Sequence, residues 1–139
     1  MTKRITFFYI SWISAFAAFL GSLYFSEILD FVPCVLCWYQ RILMYPLVII
    51  IAVGIIRKDK NLPFYVLPLS IPGIIIGFYQ HLLQIGIIPE STAPCAFGVS
   101  CSTTYIDWFG FITIPLLSLI SFMVITICMF AFLRYNKKQ

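Results

Sequence analysis

The chain has 139 residues, of which 62% are hydrophobic and 10% are charged, and its formal net charge is +4. Soluble domains are nearer half apolar and a quarter charged, so this composition excludes an ordinary soluble domain and predicts one that lies in a lipid bilayer. The positive charge does not indicate a nucleic-acid partner, because the basic residues lie at the ends of the apolar stretches, where membrane topology accounts for them.

Apolar stretches long enough to cross a bilayer, which takes roughly 20 helical residues, recur along the chain. The four of them cover about residues 5–26, 37–56, 62–83 and 111–133. They predict an all-α integral membrane protein, a four-helix bundle in a single domain over residues 1–139. The first stretch follows Lys3 and Arg4 as a signal peptide would, but its apolar residues continue to Phe25, which favours an intact span.

Lysine and arginine predict the orientation of the bundle. They precede the first stretch, separate the second from the third, and follow the fourth: Lys3, Arg4, Arg57, Lys58, Lys60, Arg134, Lys137 and Lys138. Basic residues favour the cytoplasmic side, so we expect both termini in the cytoplasm and the two loops that carry cysteines outside it. Arg41 is the only arginine or lysine expected on the outer side.

The first cysteine pair lies where the second span begins. Cys34 and Cys37 form a C-x-x-C motif with Arg41 four residues further on, and thiols at this spacing can exchange with another dithiol. A helix N-terminus and a cation one turn away both favour the thiolate of Cys37, while Cys34, beside Pro33, is expected to be the more exposed sulfur. Arg41 could instead be a cation that extends to the membrane interface.

The third span ends in polar residues. Gln80, His81 and Gln84 lie near its outer end, and polar groups there are expected to face the bundle interior. His81 should lie at about the depth of Cys37 and Arg41, which makes it a candidate ligand-binding residue. A histidine at a membrane edge can equally be an interfacial hydrogen-bonding group.

The second outer loop carries Cys95 and Cys101, with Gly98 between them to permit a turn. A structural disulfide and an exchange site are both consistent with this short loop. Its C-x5-C spacing does not match the paired C-x-x-C arms of zinc sites, so we predict no metal. Cys128 lies within the fourth span, where we assign it no redox role.

Two cysteine pairs on one side of a membrane predict a relay of thiol–disulfide exchange, in which electrons pass from a reduced partner to one pair and then to the other. The final acceptor must then be available in the membrane. A lipid-soluble quinone could reach Cys37, Arg41 and His81 from the bilayer, and this step is inferred from their location.

The CVLCWYQR stretch from Cys34 to Arg41, the Tyr79-Gln80-His81 turn, the outer cysteine pair and the four-span layout together resemble the DsbB family of membrane disulfide-generating oxidoreductases, in particular its short BdbC-type members. The resemblance covers essentially the whole chain. It implies that the protein oxidises an extracytoplasmic, thioredoxin-like DsbA-type protein and passes the electrons to menaquinone or ubiquinone.

The resemblance also implies roles for individual residues. The partner's thiolate would attack the Cys95–Cys101 disulfide and form a mixed disulfide at Cys95, after which Cys101 would attack Cys34. Cys37 would then be the thiolate that faces the quinone, with Arg41 and His81 beside the quinone. Better-known family members separate the second pair more widely, so the choice of Cys95 over Cys101 stays open.

A function of another class is also consistent with the sequence. The chain could be a non-catalytic four-helix membrane subunit whose outer loops are closed by two structural disulfides. That alternative predicts inert disulfides and tolerance of Arg41→Ala.

Overall fold

The structure, a computed structural model, describes residues 2–93, 95, 100–102 and 113–138. Its helices are α1 (Thr2–Leu23), α2 (Val35–Arg57), α3 (Leu62–Ile85) and α4 (Ile114–Lys137). A π-helical segment, Tyr24–Ile28, continues α1, and a 3-10 turn, Glu90–Thr92, follows α3. No strand occurs in these described ranges, which confirms the all-α four-helix prediction.

Each of the four helices is long and apolar enough to cross a membrane. The predicted spans agree with the helix bounds to within a few residues at most ends. Positions 111 and 112 of the predicted fourth span, and Gly98 of the second outer loop, lie outside the described residues. The π-helical segment that extends α1 was not predicted.

Proline, glycine and the capping residues explain where the helices begin and end. Cys34 is the N-cap of α2, directly after Pro33, which cannot continue a preceding helix. Gly86 ends α3 with φ 82°, in the left-handed region that glycine adopts without the strain a Cβ would cause. Lys58 ends α2 in a similar conformation, with φ 53°.

The helices pack in a closed ring, α1 against α2, α2 against α3, α3 against α4, and α4 back against α1. Buried side chains from the middle of the bundle form one core, including Leu47, Ile51, Val66, Phe122, Ile125 and Met129. Gly73 lets α3 approach α4 closely, because a Cβ there would overlap the Phe122 ring. Large apolar side chains such as Ile49 and Ile75 are exposed, as expected for a surface that contacts lipid.

Candidate functional site

Both cysteine pairs lie at one end of the bundle, which we call the cysteine end. Cys34 caps α2 and Cys37 is in its first turn, as predicted. Their Sγ atoms lie 2.9 Å apart as free thiols, and the Cys37 backbone N–H donates to Cys34 Sγ at 3.4 Å. The prediction that Cys34 is the more exposed sulfur is wrong: Cys34 is 6% exposed, whereas Cys37 is half-buried.

The second pair packs in one cluster with the first. Cys95 and Cys101 form a disulfide with their Cα atoms 5.8 Å apart. Both residues belong to the same buried cluster as Cys34, together with Leu36, Leu83 and Ala93. This cluster explains why Cys34 is buried, and it brings the two pairs into one apolar environment.

The Cys34 thiol and Glu90 carboxyl have shifted pKa values. The hydrogen bond with Cys37 and burial raise the pKa of Cys34, which favours its protonated form. Hydrogen bonds from Ser100 and Ser102 lower the pKa of Glu90. Ser102 Oγ lies 3.1 Å from Glu90 Oε2, and Ser100 Oγ donates to the other carboxylate oxygen. Glu90 therefore holds the two residues that flank Cys101.

Gln80 of α3 points at the thiols of α2. Its Nε2 donates to Cys34 Sγ and to Cys37 Sγ, each at 3.2 Å. Its Oε1 accepts a hydrogen bond from Gln40 Nε2 at 2.7 Å. The sequence placed Gln80 among residues facing inward but did not single out Gln40. A usable signal was present, because Gln40 is a polar residue three positions after Cys37, on the same face of an apolar helix.

Arg41 connects α2 to the end of α1. Its guanidinium donates to the Ser22 carbonyl at 3.0 Å and to Ser26 Oγ at 3.4 Å, where α1 changes into the π-helical segment. It also lies 5.5 Å from the centre of the Trp38 ring. The guanidinium thus makes its hydrogen bonds within the protein, beside the cysteine end.

A cavity of about 360 Å³ opens next to Cys37 and Arg41. All four helices contribute to its wall, and small residues of α1, such as Ala17 and Gly21, leave room for it. Two polar atoms near it, Gln84 Oε1 and Thr113 Oγ1, are buried without a hydrogen-bond partner in the described part of the chain. Buried polar atoms in this state favour a ligand that completes their hydrogen bonds.

His81 has a different position. It is half-buried and, unlike Gln80 and Gln84, is not part of the cavity wall as the described residues define it. Its Nδ1 atom is buried and has no hydrogen-bond partner among those residues. The structure therefore places Cys34, Cys37 and Arg41 in the cavity wall and packs Cys95 and Cys101 in one cluster with Cys34, but His81 is not in that wall as the described residues define it.

Comparison with known proteins places this arrangement in a family. Residues 3–132 match the family model described as "Disulfide bond formation protein DsbB". The chain belongs to the DsbB family. This match confirms the resemblance found in the sequence. The chain is thus a membrane protein of a disulfide bond formation family. Membership implies oxidoreductase activity and a thiol–disulfide oxidoreductase partner.

Relatives of similar length support this membership. "Disulfide bond formation protein C" of Bacillus subtilis (strain 168) is 53% identical over 93% of this DsbB-family chain and 94% of that protein. "Probable disulfide formation protein C 1" of Bacillus anthracis is 46% identical over 91% of each chain. "Probable disulfide formation protein C" of Halalkalibacterium halodurans is 45% identical over 89% of this chain and 90% of its own. No solved structure gives a significant match.

Proposed function

We propose that the protein oxidises a DsbA-type, thioredoxin-like protein outside the cytoplasm and passes the electrons to a membrane quinone. The observation that carries the proposal is the packing of both cysteine pairs in one cluster beside a cavity that reaches Cys37 and Arg41. The excess of lysine and arginine at the opposite end of the bundle supports an outward-facing cysteine end with both termini in the cytoplasm.

The exchange begins at the second pair. A thiolate of the partner attacks Cys95, a new partner–Cys95 disulfide forms, and the Cys95–Cys101 bond breaks to leave a Cys101 thiolate. Cys101 then attacks Cys34 of a Cys34–Cys37 disulfide, so that a Cys101–Cys34 bond forms and Cys37 leaves as a thiolate. The hydrogen bonds from Ser100 and Ser102 to Glu90 fix the residues on both sides of Cys101, and Cys101 packs in the same buried cluster as Cys34.

Two further exchanges release the products. The partner's second thiolate displaces Cys95, which frees the oxidised partner. Cys95 then attacks Cys101, which restores the Cys95–Cys101 disulfide and leaves Cys34 and Cys37 reduced. The partner has lost two electrons and the first pair has gained them. The structure has this combination of a bonded second pair and a free first pair.

The residues around the cavity fit a quinone. A volume of about 360 Å³ lies within the range of small-molecule pockets, roughly 300–1,000 Å³. Arg41 offers a cation and Thr113 a hydroxyl donor to the carbonyl oxygens of a quinone, and the Gln84 carbonyl oxygen could accept a hydrogen bond from the hydroxyl group of the reduced quinol. A bound quinone would accept two electrons and two protons and so allow the Cys34–Cys37 disulfide to form again. Separate assays with menaquinone and ubiquinone distinguish the two acceptors.

The test is quinone reduction, followed by ultraviolet absorbance, after a reduced thioredoxin-like protein is added to the purified protein in detergent. Menaquinone and ubiquinone are assayed separately. We expect reduction with at least one of them, and we expect Cys37→Ser to abolish it. Cys128→Ser is the matched control, because it removes a buried thiol away from the cysteine end, and it should retain activity.

The opposite result would favour the non-catalytic membrane subunit. In that case neither quinone is reduced, although the Cys95–Cys101 disulfide is intact and the helices are folded.

A further inference from the structure

We propose that Gln80 is a catalytic residue that stabilises the reduced Cys34–Cys37 pair relative to its disulfide, and that Gln40 is the positioning residue that orients Gln80. This inference rests on the proposed relay, in which the first pair must be oxidising enough to accept electrons from Cys101. It assigns the oxidising character of the first pair to the side-chain amides of Gln40 on α2 and Gln80 on α3, rather than to Arg41 alone.

The contacts of Gln80 use its whole amide group. An amide has two N–H donors and one carbonyl acceptor. Gln80 Nε2 lies 3.2 Å from each of the two sulfurs, so each sulfur can accept one N–H. The carbonyl oxygen is held by Gln40 Nε2 at 2.7 Å, which orients the N–H groups of Gln80 towards the thiols.

Burial strengthens this arrangement. Gln80 is 1% exposed and Gln40 is 5% exposed, so water does not compete for their hydrogen bonds. In an environment of low dielectric constant, a hydrogen bond to a charged group is stronger than the same bond in water. The Arg41 hydrogen bonds, by contrast, go to Ser22 and Ser26 of the first helix and its π-helical extension.

The two redox states accept these hydrogen bonds differently. When the Cys34–Cys37 disulfide takes up two electrons and one proton, its S–S bond breaks and the products are the Cys34 thiol and the Cys37 thiolate. A thiolate is a much better acceptor than a disulfide sulfur, because it carries a full charge. The Gln80 amide therefore favours the reduced state, and the pair becomes more oxidising towards the Cys101 thiolate.

A neutral amide suits this task. It donates hydrogen bonds to the Cys37 thiolate without a proton that it can transfer, so Cys37 remains nucleophilic. A carboxylate at the same position would repel the thiolate. Removing a hydrogen bond to a charged group typically changes an equilibrium constant by roughly tenfold to a hundredfold.

The experiment is a redox titration of the first pair in the full-length protein in detergent. Cys95→Ala, Cys101→Ala and Cys128→Ser form the background, so that Cys34 and Cys37 are its only thiols. The protein is equilibrated with dithiothreitol buffers of defined ratio, and the thiols are counted by alkylation and mass spectrometry. Neither a partner protein nor a quinone is present, so this result is independent of the proposed relay.

We expect Gln80→Leu to lower the equilibrium constant for reduction of the pair by about tenfold, which equals a potential about 30 mV more negative for two electrons. Gln40→Leu should shift it in the same direction by about threefold, because Gln80 keeps its donors but loses their orientation. Thr126→Val removes a buried polar group near Ser70 and should leave the potential unchanged.

A second variant guards against misfolding. The glutamate of Gln80→Glu has nearly the same shape as glutamine. Where the carboxyl is ionised, its negative charge should make the Cys34–Cys37 pair harder to reduce. At lower pH this shift of the reduction potential should diminish. The proposal is overturned if the folded Gln80→Leu or Gln80→Glu protein, at neutral pH, has an equilibrium constant for reduction of the pair within twofold of that of the background protein. It is also overturned if Thr126→Val produces the same shift.

Discussion

The middle of the bundle and its cysteine end use buried polar side chains in opposite ways. In the middle, Thr126 Oγ1 lies 3.0 Å from Ser70 Oγ and 2.8 Å from the Phe122 carbonyl oxygen, so polar groups of α3 and α4 satisfy each other. At the cysteine end, Gln84 Oε1 and Thr113 Oγ1 have no partner among the described residues, and a cavity lies beside them.

This difference separates polar groups that join helices from polar groups whose hydrogen-bonding capacity is available to a ligand. Mutual hydrogen bonds in lipid contribute modestly to helix association and leave nothing for a ligand. Unfilled hydrogen-bonding capacity beside a cavity can be used by a molecule that enters it. Trp12 Nε1 is also buried without a partner in the described residues, but Trp12 does not line the cavity.

The largest effect should come from breaking the relay at the cysteine end. We expect Cys101→Ser to reduce oxidation of the partner to background, a loss of at least about a thousandfold, because no thiol remains to attack Cys34. The measurement is the rate of partner oxidation with quinone present. An active Cys101→Ser protein would show that Cys95 alone passes electrons to the first pair.

Removal of Arg41 should have the next largest effect. Arg41→Ala deletes the cation beside the cavity and the hydrogen bonds to Ser22 and Ser26, and we expect quinone reduction to fall by about a hundredfold. Arg57→Ala is the matched control, since Arg57 is the last residue of the same helix, at the opposite end. Equal activity of both variants would show that Arg41 does not assist quinone reduction.

A change in the middle of the bundle should affect stability. Gly73→Val would push into the Phe122 ring and is expected to cost about 2 kcal/mol of unfolding free energy. Thermal unfolding in detergent measures the effect. Gly21→Ala provides the comparison. No atom of the described residues lies within 4 Å of a Cβ at Gly21, so the stability of this variant should change little. Unaltered stability of Gly73→Val would contradict the close α3–α4 packing described above.

The smallest effect should follow from His81→Ala. The sequence made His81 a candidate quinone-binding residue, but the side chain is not part of the cavity wall that the described residues form. We therefore expect quinone reduction to fall by no more than about threefold, a change of under 1 kcal/mol. A loss as large as that of Arg41→Ala would restore His81 to the quinone site and would require the cavity to change shape on binding.

The sequence predicted well what depends on local composition. Uncharged length defined the spans, and Pro33 followed by the C-x-x-C motif placed Cys37 in the first turn of α2. It also brought Cys95 and Cys101 to the same end of the bundle as Cys34. These predictions succeed because lipid burial and helix initiation are decided over short stretches of chain.

The sequence did not predict features that depend on how the helices are rotated against one another. The hydrogen bond from Gln40 to Gln80 joins residues forty positions apart, and only the packing of α2 on α3 decides that Gln80 rather than His81 faces the thiols. Cys34 was expected to be exposed because its local neighbours indicate a loop. It is buried because Cys101, far along the chain, packs in the same cluster.

The wall of the cavity affects how a hydrophobic ligand can reach it. Leu117 and Ile120 of α4 line the cavity, and they are also 46% and 48% exposed on the apolar outside of the bundle. A hydrophobic molecule dissolved among the lipids can therefore arrive by diffusion within the plane of the bilayer, whereas a protein partner arrives from water. The occupancy of the cavity then depends on the mole ratio of such molecules to lipid. Added detergent or lipid lowers this ratio, and therefore the occupancy, even when the volume of buffer is constant.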